Sequence, residues 1–160
     1  MLKIVEYTDK YKEKVVELLA EIILKEFEMQ ENLEDIKNYD YNNYKNNGGN
    51  FWVAIDENDE VKATAAIEND LLKKEAKLVR VYLHQEHRGC GIATQMLNVA
   101  IDFVREMEYN KITLGTYQKL ERAINFYEKH GFKEYKVQDI KDDTARFYAL
   151  DLAGVDVQAS

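Results

Sequence analysis

The sequence predicts a mixed α+β domain, in which helices cover both faces of a mostly antiparallel mixed β-sheet of about seven strands. Two observations support this class. Strand-like alternation fills residues 51–83, and helical and strand-like periods then alternate from residue 91 to residue 152. A length of 160 residues with 46% hydrophobic residues suits one core. We therefore expect a single domain over residues 1–152, followed by a flexible tail at 153–160.

The first third of the chain predicts one strand and two helices. Residues 2–7 alternate and contain β-branched and aromatic side chains, which favours a strand. Thr8 or Asp9 can then cap a long helix, in which apolar residues recur at helical spacing from Val15 to Phe27, through about residue 28. A weaker helix is expected at 33–45, before a turn-forming run of Asn and Gly at 46–50. We interpret this tract either as a lid on an acceptor site or as a plain connection.

The rest of the chain predicts a strand meander and then alternating helices and strands. The segments FWVAID, EVKATAAIEN and EAKLVRVYL are separated by short polar turns, as in an antiparallel meander. The later elements are a helix over about 91–107, the strand KITLGT, a helix over about 120–130, and the strands FKEYKV and ARFYALDL. The chain contains no proline, so Gly and Asn are its main turn signals.

The charge balance and the cysteine content restrict the partners and the compartment. Asp and Glu number 30 against 22 Lys and Arg, and the net charge of -8 repels a phosphate backbone, so nucleic acid is not an expected partner. The sequence has neither an apolar run long enough to span a bilayer nor a secretory signal pattern. Its single cysteine, Cys90, excludes an internal disulfide and a cysteine-rich metal site. We expect a cytoplasmic protein with no metal and no membrane partner.

The segment HQEHRGCGIAT, residues 84–94, joins a strand directly to a helix. Such a junction presents main-chain amides at the positive end of a helix dipole, and Gly89 and Gly91 let an anion approach without meeting a Cβ. Arg88 adds a charged donor. The segment lacks the GKS or GKT ending of a Walker loop and the third glycine of a dinucleotide fingerprint. By itself, the pattern is compatible with a tight turn as well as with a phosphate site.

A second motif, AINFYEKHGF, occupies residues 123–132 and indicates an amphipathic helix that Gly131 ends. Together with RGCGIA, it resembles the acetyl-CoA-binding and closing motifs of the GNAT superfamily of N-acetyltransferases. Arg88, Gly91 and Ala93 occupy the defining places of that family's Arg/Gln-x-x-Gly-x-Gly/Ala pattern. The resemblance is detailed over residues 78–132, and the order of the predicted elements agrees over the predicted domain.

The resemblance implies the acyl-CoA N-acyltransferase fold, with a splayed pair of parallel strands, and acetyl-CoA (coenzyme A) as the cofactor. In the family, free main-chain groups of the strand before the loop pair with the pantetheine arm, and here these groups belong to Val81 and Leu83. The loop amides hold the pyrophosphate, a role that falls to Arg88, Gly89, Cys90, Gly91, Ile92, Ala93 and Thr94. Dimers are common among family relatives, so a homodimer is compatible with the resemblance.

The resemblance also implies that a primary amine of a small molecule or protein attacks the thioester directly in a ternary complex. Tyr127 stands where many family members place the acid that protonates the leaving thiolate. A tyrosine with an ordinary pKa of about 10 stays protonated beside a thiol of pKa about 8.5, and can donate. An aromatic residue on a short helix can equally belong to the core, as we expect for Phe126.

Two positions depart from the family pattern, and the general base is unassigned. Leu120 replaces an asparagine that relatives often have before the second motif, and Lys77 stands where an acidic residue is common. Candidates for the base, by location alone, are Glu28, Glu31, Glu68 and Glu75. His84 and His87 flank the loop, where either a role as proton carriers or the polarity of a loop explains them.

Three functions are compatible with these patterns. The first is N-acetyl transfer, and the second is a non-catalytic acyl-CoA-binding or regulatory module of the same fold. The third is a nucleotide-phosphate-binding domain of another fold. We do not expect Cys90 to act as a nucleophile, because no histidine and carboxylate pair is arranged in the sequence to activate it.

Overall fold

The computed structural model describes residues 1–23, 33–141 and 143–153. The strands are β1 (Lys3–Glu6), β2 (Asn50–Ile55), β3 (Val61–Asp70), β4 (Glu75–Leu83), β5 (Lys111–Tyr117), β6 (Lys133–Ile140) and β7 (Asp143–Asp151). The α-helices are α1 (Lys12–Glu21), α2 (Leu33–Asn38), α3 (Asn43–Asn46), α4 (Ile92–Glu106) and α5 (Glu121–Lys129). Short 3₁₀ helices at Asp9–Tyr11 and Gln85–His87 precede α1 and follow β4.

The strands form a seven-stranded mixed sheet in the order β1-β2-β3-β4-β5-β7-β6. The pairings of β1 with β2, β2 with β3, β5 with β7, and β7 with β6 are antiparallel. The pair β4 and β5 is parallel, with Ala76 opposite Ile112 and Lys77 opposite Thr113. The sheet is therefore mostly antiparallel with one parallel pair, as the sequence predicts.

The chain divides into two compact units, of which the first consists of Met1–Glu68 and Val79–Ile101. The hydrophobic core of this unit joins α1 to β2, through side chains such as Val15, Leu19 and Val53. Each of these three side chains is fully buried. The apolar stripe that the sequence shows on the first helix is thus the face that packs in the core.

Aromatic rings fill much of the first unit's core. The ring of Phe51 stacks with that of Tyr7, at 5.1 Å between centroids, and with that of Tyr41, at 5.5 Å. The buried Tyr41 hydroxyl donates a hydrogen bond to the carbonyl oxygen of Ile36 at 2.8 Å, so its polar tip has a partner. Gly49 permits close contact with β3, because a Cβ there would lie 1.8 Å from the carbonyl oxygen of Ile67.

The second unit consists of Asn69–Leu78 and Asp102–Ser160, and strand β7 lies between β5 and β6. The guanidinium of Arg146 on β7 donates to the Glu134 carboxylate at 2.6 Å and to the Gln118 side chain at 2.9 Å. These bonds connect β7 to β6 and to Gln118, the residue that follows β5. Such cross-links add side-chain contacts to the main-chain ladder of the sheet.

The structure corrects the predicted helix at 33–45, which consists of the two short helices α2 and α3. Asp40 explains the interruption. Its side-chain Oδ1 accepts a hydrogen bond from the amide of Asn42, and its carbonyl oxygen accepts one from the amide of Asn43, each at 3.0 Å. A local side-chain acceptor of this kind competes with helical hydrogen bonding, so the single helix was a wrong prediction at its centre.

The other predicted elements occur within a few residues of their expected bounds. The long first helix begins as a 3₁₀ turn and continues as α1, and its predicted end at 24–28 lies outside the described residues. The predicted tail also lies outside them, except for Ala153. Among the helices that the structure describes, none has the length and apolar character needed to cross a bilayer.

Candidate functional site

Strand β4 leads through a short loop into helix α4, in the order that the sequence predicts. The strand ends at Leu83, the 3₁₀ turn occupies Gln85–His87, and α4 begins at Ile92. Residues 89–91 are exposed. The loop is therefore open to solvent, and is neither buried nor continuous with the sheet.

Gly89 and Gly91 adopt left-handed main-chain conformations, with φ of 80° and 87°. A Cβ built on either residue would meet no heavy atom within 4 Å. These glycines are thus required by the conformation of the turn and not by contact with another part of the protein. The open space at both Cβ positions lets the oxygen atoms of a ligand approach the main chain.

The first turn of α4 supplies main-chain donors at the same place. The amide of Gln95 donates to the carbonyl oxygen of Gly91 at 3.1 Å. The amides of Ile92 and Ala93 lie in the first turn of α4, before Gln95. The N–H groups in the first turn of a helix have no carbonyl partner within the helix. The positive end of the helix dipole adds to their attraction for an anion. Ile92 is buried at 3% exposure and fixes the turn in the core.

A group of charged side chains flanks the loop. The Glu86 carboxylate lies 3.1 Å from Lys62 Nζ and 3.3 Å from His87 Nε2. The hydrogen bond from Lys62 holds the pKa of Glu86 below its ordinary value. Cys90 Sγ donates to the carbonyl oxygen of His87 at 2.8 Å. The pairing with Lys62 offsets the negative charge that Glu86 brings close to the proposed anion site.

His84, one of the two histidines considered as proton carriers, uses a ring nitrogen to hold the loop. Its Nδ1 accepts a hydrogen bond from the amide of Glu86 at 3.2 Å, so a neutral ring carries its proton on Nε2. That Nε2 lies 3.9 Å from Glu21 Oε1. A general base needs an available lone pair, and this arrangement therefore disfavours His84 in that role.

The structure describes two of the four carboxylate candidates for the base. Glu75 pairs with Lys111 at 3.8 Å, and Glu68 is exposed on β3. Glu28 and Glu31 lie outside the described residues. Within the described part of the chain, no three His, Cys, Asp or Glu side chains are grouped as metal ligands.

Tyr127 lies on α5 with only 7% exposure, and its ring centroid is 5.5 Å from those of Phe126 and Phe132. Gly131, with φ of 92°, ends the helix. The amide of Phe132 donates to the Tyr127 carbonyl oxygen at 3.0 Å, and the amide of Gly131 donates to that of Glu128 at 3.1 Å. This is a Schellman motif, and it fixes the main chain at Tyr127. Tyr127 belongs to the second unit, and the glycine loop to the first.

Strand β4 contains one feature that sequence reasoning missed, which is the left-handed conformation of Arg80, with φ of 55°. The half-buried residues Val81 and Leu83 follow it directly. The alternating pattern EAKLVRVYL carries no sign of this turn, because only a glycine, asparagine or aspartate would have indicated positive φ. A residue of this kind turns the strand, as in a β-bulge.

Comparison with known proteins identifies the family. The sequence model described as "Acetyltransferase (GNAT) family" matches residues 15–132, which is most of the chain. The chain belongs to the GNAT acetyltransferase family. GNAT acetyltransferases use acetyl-CoA and act on amine acceptors, so the predicted family is confirmed, and acetyl-CoA is confirmed as the cofactor of that family.

Curated relatives share a part of their length with this GNAT chain. The rat N-acetyltransferase family 8 member 2 is 31% identical over 109 residues, which are 66% of this chain and 46% of the relative. The human N-acetyltransferase 8B is 32% identical over 90 residues, which are 54% of this chain and 40% of the relative. The chain thus spans less than half the length of these relatives.

Solved structures match nearly the whole chain. A GNAT-family acetyltransferase of Staphylococcus aureus Mu50 has a TM-score of 0.81 and 28% identity, over 95% of this chain and 99% of that protein. An acetyltransferase of Streptococcus agalactiae has a TM-score of 0.81 and 26% identity, over 94% and 98%. A Salmonella typhimurium protein determined with acetyl-CoA shares the fold, with a TM-score of 0.79 at 17% identity over 95% of this chain and 94% of that protein. The fold class is confirmed, and a nucleotide-binding domain of another fold is excluded.

Proposed function

We propose that this GNAT protein is an N-acetyltransferase that moves the acetyl group of acetyl-CoA to a primary amine of a small molecule or a protein. The observation that carries the proposal is the junction at 88–94, where two exposed, left-handed glycines meet the first amides of α4. A chain with a net charge of -8 needs such local donors to hold a polyanionic ligand. Residues 1–152 would form one N-acetyltransferase domain.

The loop and strand β4 would hold the acyl donor. In this proposal, the amides of residues 88–94 bind the pyrophosphate, and the side chain of Arg88 adds a charged donor. Main-chain groups of Val81 and Leu83 pair with the pantetheine arm. The open Cβ positions of Gly89 and Gly91 support the first assignment, because a phosphate oxygen can reach the main chain there.

Acetyl-CoA supplies an activated acyl group as a thioester, and the protein orients the two reactants. The neutral amine attacks the carbonyl carbon, a C–N bond forms, the C–S bond breaks, and the nitrogen releases one proton to solvent water. In this proposal Tyr127 donates a proton to the departing thiolate and is reprotonated from solvent. Positioning and main-chain polarisation of the carbonyl would provide most of the rate enhancement.

The activity is tested by incubating the purified protein with labelled acetyl-CoA and panels of amines, peptides and proteins. Initial rates at varied concentrations of both substrates should give intersecting double-reciprocal plots, as direct attack in a ternary complex requires. Parallel plots would indicate a covalent acetyl-enzyme and would contradict direct attack. Tight acetyl-CoA binding by calorimetry, with no transfer to any acceptor, would favour the non-catalytic acyl-CoA-binding module instead.

The role of Tyr127 is tested by Tyr127→Phe, which removes the hydroxyl and keeps the buried ring. We expect kcat to fall by on the order of 100-fold, as for loss of a general acid, with little change in acetyl-CoA affinity. Tyr135→Phe is a matched control, because Tyr135 is 57% exposed on β6 and should leave kcat unchanged. Equal kcat values for wild type and Tyr127→Phe would exclude the acid role.

The partners and the compartment follow from charge and composition. The net charge of -8 favours cationic amines over nucleic acid as partners. We propose a cytoplasmic enzyme that acts on an amine without a membrane partner, and a homodimer is compatible with this proposal. An untargeted acetylation screen would test the amine acceptor, and sedimentation would test the homodimer.

A further inference from the structure

Arg80 has a main-chain conformation that its residue type disfavours. It lies within β4 with φ of 55°, in the left-handed region that residues with a Cβ avoid in strands. Residues in such conformations persist where contacts with the surrounding structure hold them, and they concentrate at functional sites. In this chain the outlier stands directly before Val81, at the start of the segment assigned to the acyl donor.

The side chain of Arg80 is held by three tyrosines. Its Nε donates a hydrogen bond to the hydroxyl of Tyr44 at 3.0 Å. Its guanidinium carbon lies 5.6 Å from the ring centroid of Tyr39 and 5.9 Å from that of Tyr41, which are cation–π distances. We call these four residues the Arg80 clamp.

The clamp is itself rigid, because its rings pack on one another and on the core. The centroid of Tyr39 lies 5.1 Å from that of Tyr41 and 5.6 Å from that of Tyr44. Tyr41 is 1% exposed and Tyr44 is 5% exposed. Burial raises the pKa of Tyr44, so its hydroxyl stays protonated and neutral at physiological pH.

The main chain of Arg80 is held separately from its side chain. The hydroxyl of Thr64 on β3 donates to the carbonyl oxygen of Arg80 at 2.7 Å. Thr64 is 1% exposed, so the donor of this bond is shielded from water. The turn is therefore fixed at two points, by a buried hydroxyl at its carbonyl and by the clamp at its side chain.

We propose that the Arg80 clamp is a positioning device for acetyl transfer, which holds the left-handed turn of β4 and so directs the main-chain groups of Val81 and Leu83 at the thioester arm of acetyl-CoA. This inference rests on the proposed function. Arg80 acts through the main chain and not by touching the reacting atoms, so it is a positioning residue. The acetyl-CoA affinity and the polarisation of the thioester carbonyl are the properties that it controls.

The inference is tested by comparing Arg80→Ala with Arg80→Gly, since both remove the clamp and only glycine takes positive φ readily. Alanine should reduce the population of the left-handed turn, and with it the acetyl-CoA affinity, by about 10-fold. Glycine populates both signs of φ and should lose only about 2-fold. Affinity is measured by calorimetric titration with acetyl-CoA, with thermal unfolding of each variant recorded in parallel.

A spectroscopic measurement separates positioning from general destabilisation. The ¹³C signal of the carbonyl in bound acetyl-CoA labelled at that carbon reports hydrogen bonding to the carbonyl oxygen. We expect Arg80→Gly to keep the signal of the wild-type complex and Arg80→Ala to move it toward that of free acetyl-CoA. A merely structural role of the clamp would leave the signal unmoved in both variants.

Asp59 offers a matched control, because it has φ of 59° but lies in the exposed turn between β2 and β3. Asp59→Ala and Asp59→Gly should differ in thermal stability and not in acetyl-CoA affinity. If Arg80→Ala does not fold, Tyr44→Phe replaces it, since it deletes the hydroxyl that accepts from Arg80 Nε and keeps the ring. The expected loss of acetyl-CoA affinity in that variant is about 3-fold.

Three results would overturn the inference. Equal losses of affinity in Arg80→Ala and Arg80→Gly would show that the side chain acts by itself and not through the turn. If Arg80→Ala, or Tyr44→Phe in its place, has wild-type affinity and an unmoved carbonyl signal, the clamp does not position the main-chain groups of β4. A wild-type protein that does not bind acetyl-CoA would instead refute the proposed function, and the inference with it.

Discussion

Gly91→Ala isolates the contribution of the glycine loop to acyl-donor binding. Gly91 has φ of 87°, and a Cβ placed on it meets no heavy atom of the protein within 4 Å. In the free protein, the substitution therefore adds only the conformational cost of a left-handed alanine, about 1–2 kcal/mol. For a domain of this size, that cost lowers Tm by roughly 2 to 8 °C.

Gly91→Ala should also weaken the binding of acetyl-CoA, and this effect is separate from the loss of stability. The methyl group would occupy the open space above the loop, where the proposed function places the pyrophosphate oxygens. We expect the Kd for acetyl-CoA to rise by at least about 10-fold, which is about 1.4 kcal/mol. Calorimetric titration with acetyl-CoA gives the Kd, and thermal unfolding of the free protein gives the change in stability.

Gly131→Ala is the matched control for Gly91→Ala. Gly131 has φ of 92° at the end of α5, and its Cβ would make an ordinary contact of 3.5 Å with Leu150 Cδ1. Gly131→Ala should lower stability by a similar amount and leave the Kd for acetyl-CoA within about 2-fold of wild type. An unchanged Kd in Gly91→Ala would refute the loop as the pyrophosphate site. An equal rise of Kd in both variants would show that partial unfolding, and not the loop, weakens binding.

Three further predictions concern packing, pH and the cysteine. Gly49→Ala should lower the free energy of unfolding in urea by more than about 3 kcal/mol, because its Cβ would lie 1.8 Å from the rigid Ile67 carbonyl oxygen. In the control Gly115→Ala the Cβ meets the movable Phe147 ring at 3.1 Å, and the loss should be under about 1.5 kcal/mol. Hydrogen bonds from Lys45 and Asn50 lower the pKa of Glu6 from its ordinary 4.5, so the stabilisation from the ionised carboxylate is present above that value and is lost as the pH falls through the folded pKa. Glu6→Gln should therefore destabilise more at about pH 7 than at about pH 3, and equal losses at both would contradict this cause. Acetyl-CoA should protect Cys90, which is exposed in the loop, from N-ethylmaleimide as followed by mass spectrometry, and alkylation at an equal rate with and without acetyl-CoA would argue against this location of the ligand.

Much of the fold could be predicted from the sequence, because its signals are local. The bounds of β4 match the predicted segment EAKLVRVYL, since period-two alternation directly reflects the two faces of a strand. The helix over 33–45 was predicted wrongly, because apolar spacing does not show that the side chain of Asp40 accepts from the amide of Asn42.

One part of the candidate site could also be predicted from local sequence, and another part could not. The glycine loop was predictable, because RGCG between a strand and a helix already implies positive φ and exposed amides. The general base was not, because a carboxylate becomes a base through neighbours that are distant in sequence. The structure shows one such neighbour, Lys111 at 3.8 Å from Glu75. The amide that donates to His84 Nδ1 belongs to Glu86, only two residues away, and it disfavours His84 as a base.

By itself, the sequence determined the fold class, the GNAT family and the position of the glycine loop, since each depends on residues that are adjacent or regularly spaced along the chain. Only the tertiary structure decided the left-handed turn of β4 and its clamp. The hydrogen bond between Arg80 and Tyr44 joins residues 36 positions apart, and no local pattern marks an arginine for positive φ. That conformation exists because buried partners from other segments outweigh the local preference of the residue, and such partners meet only in the folded protein.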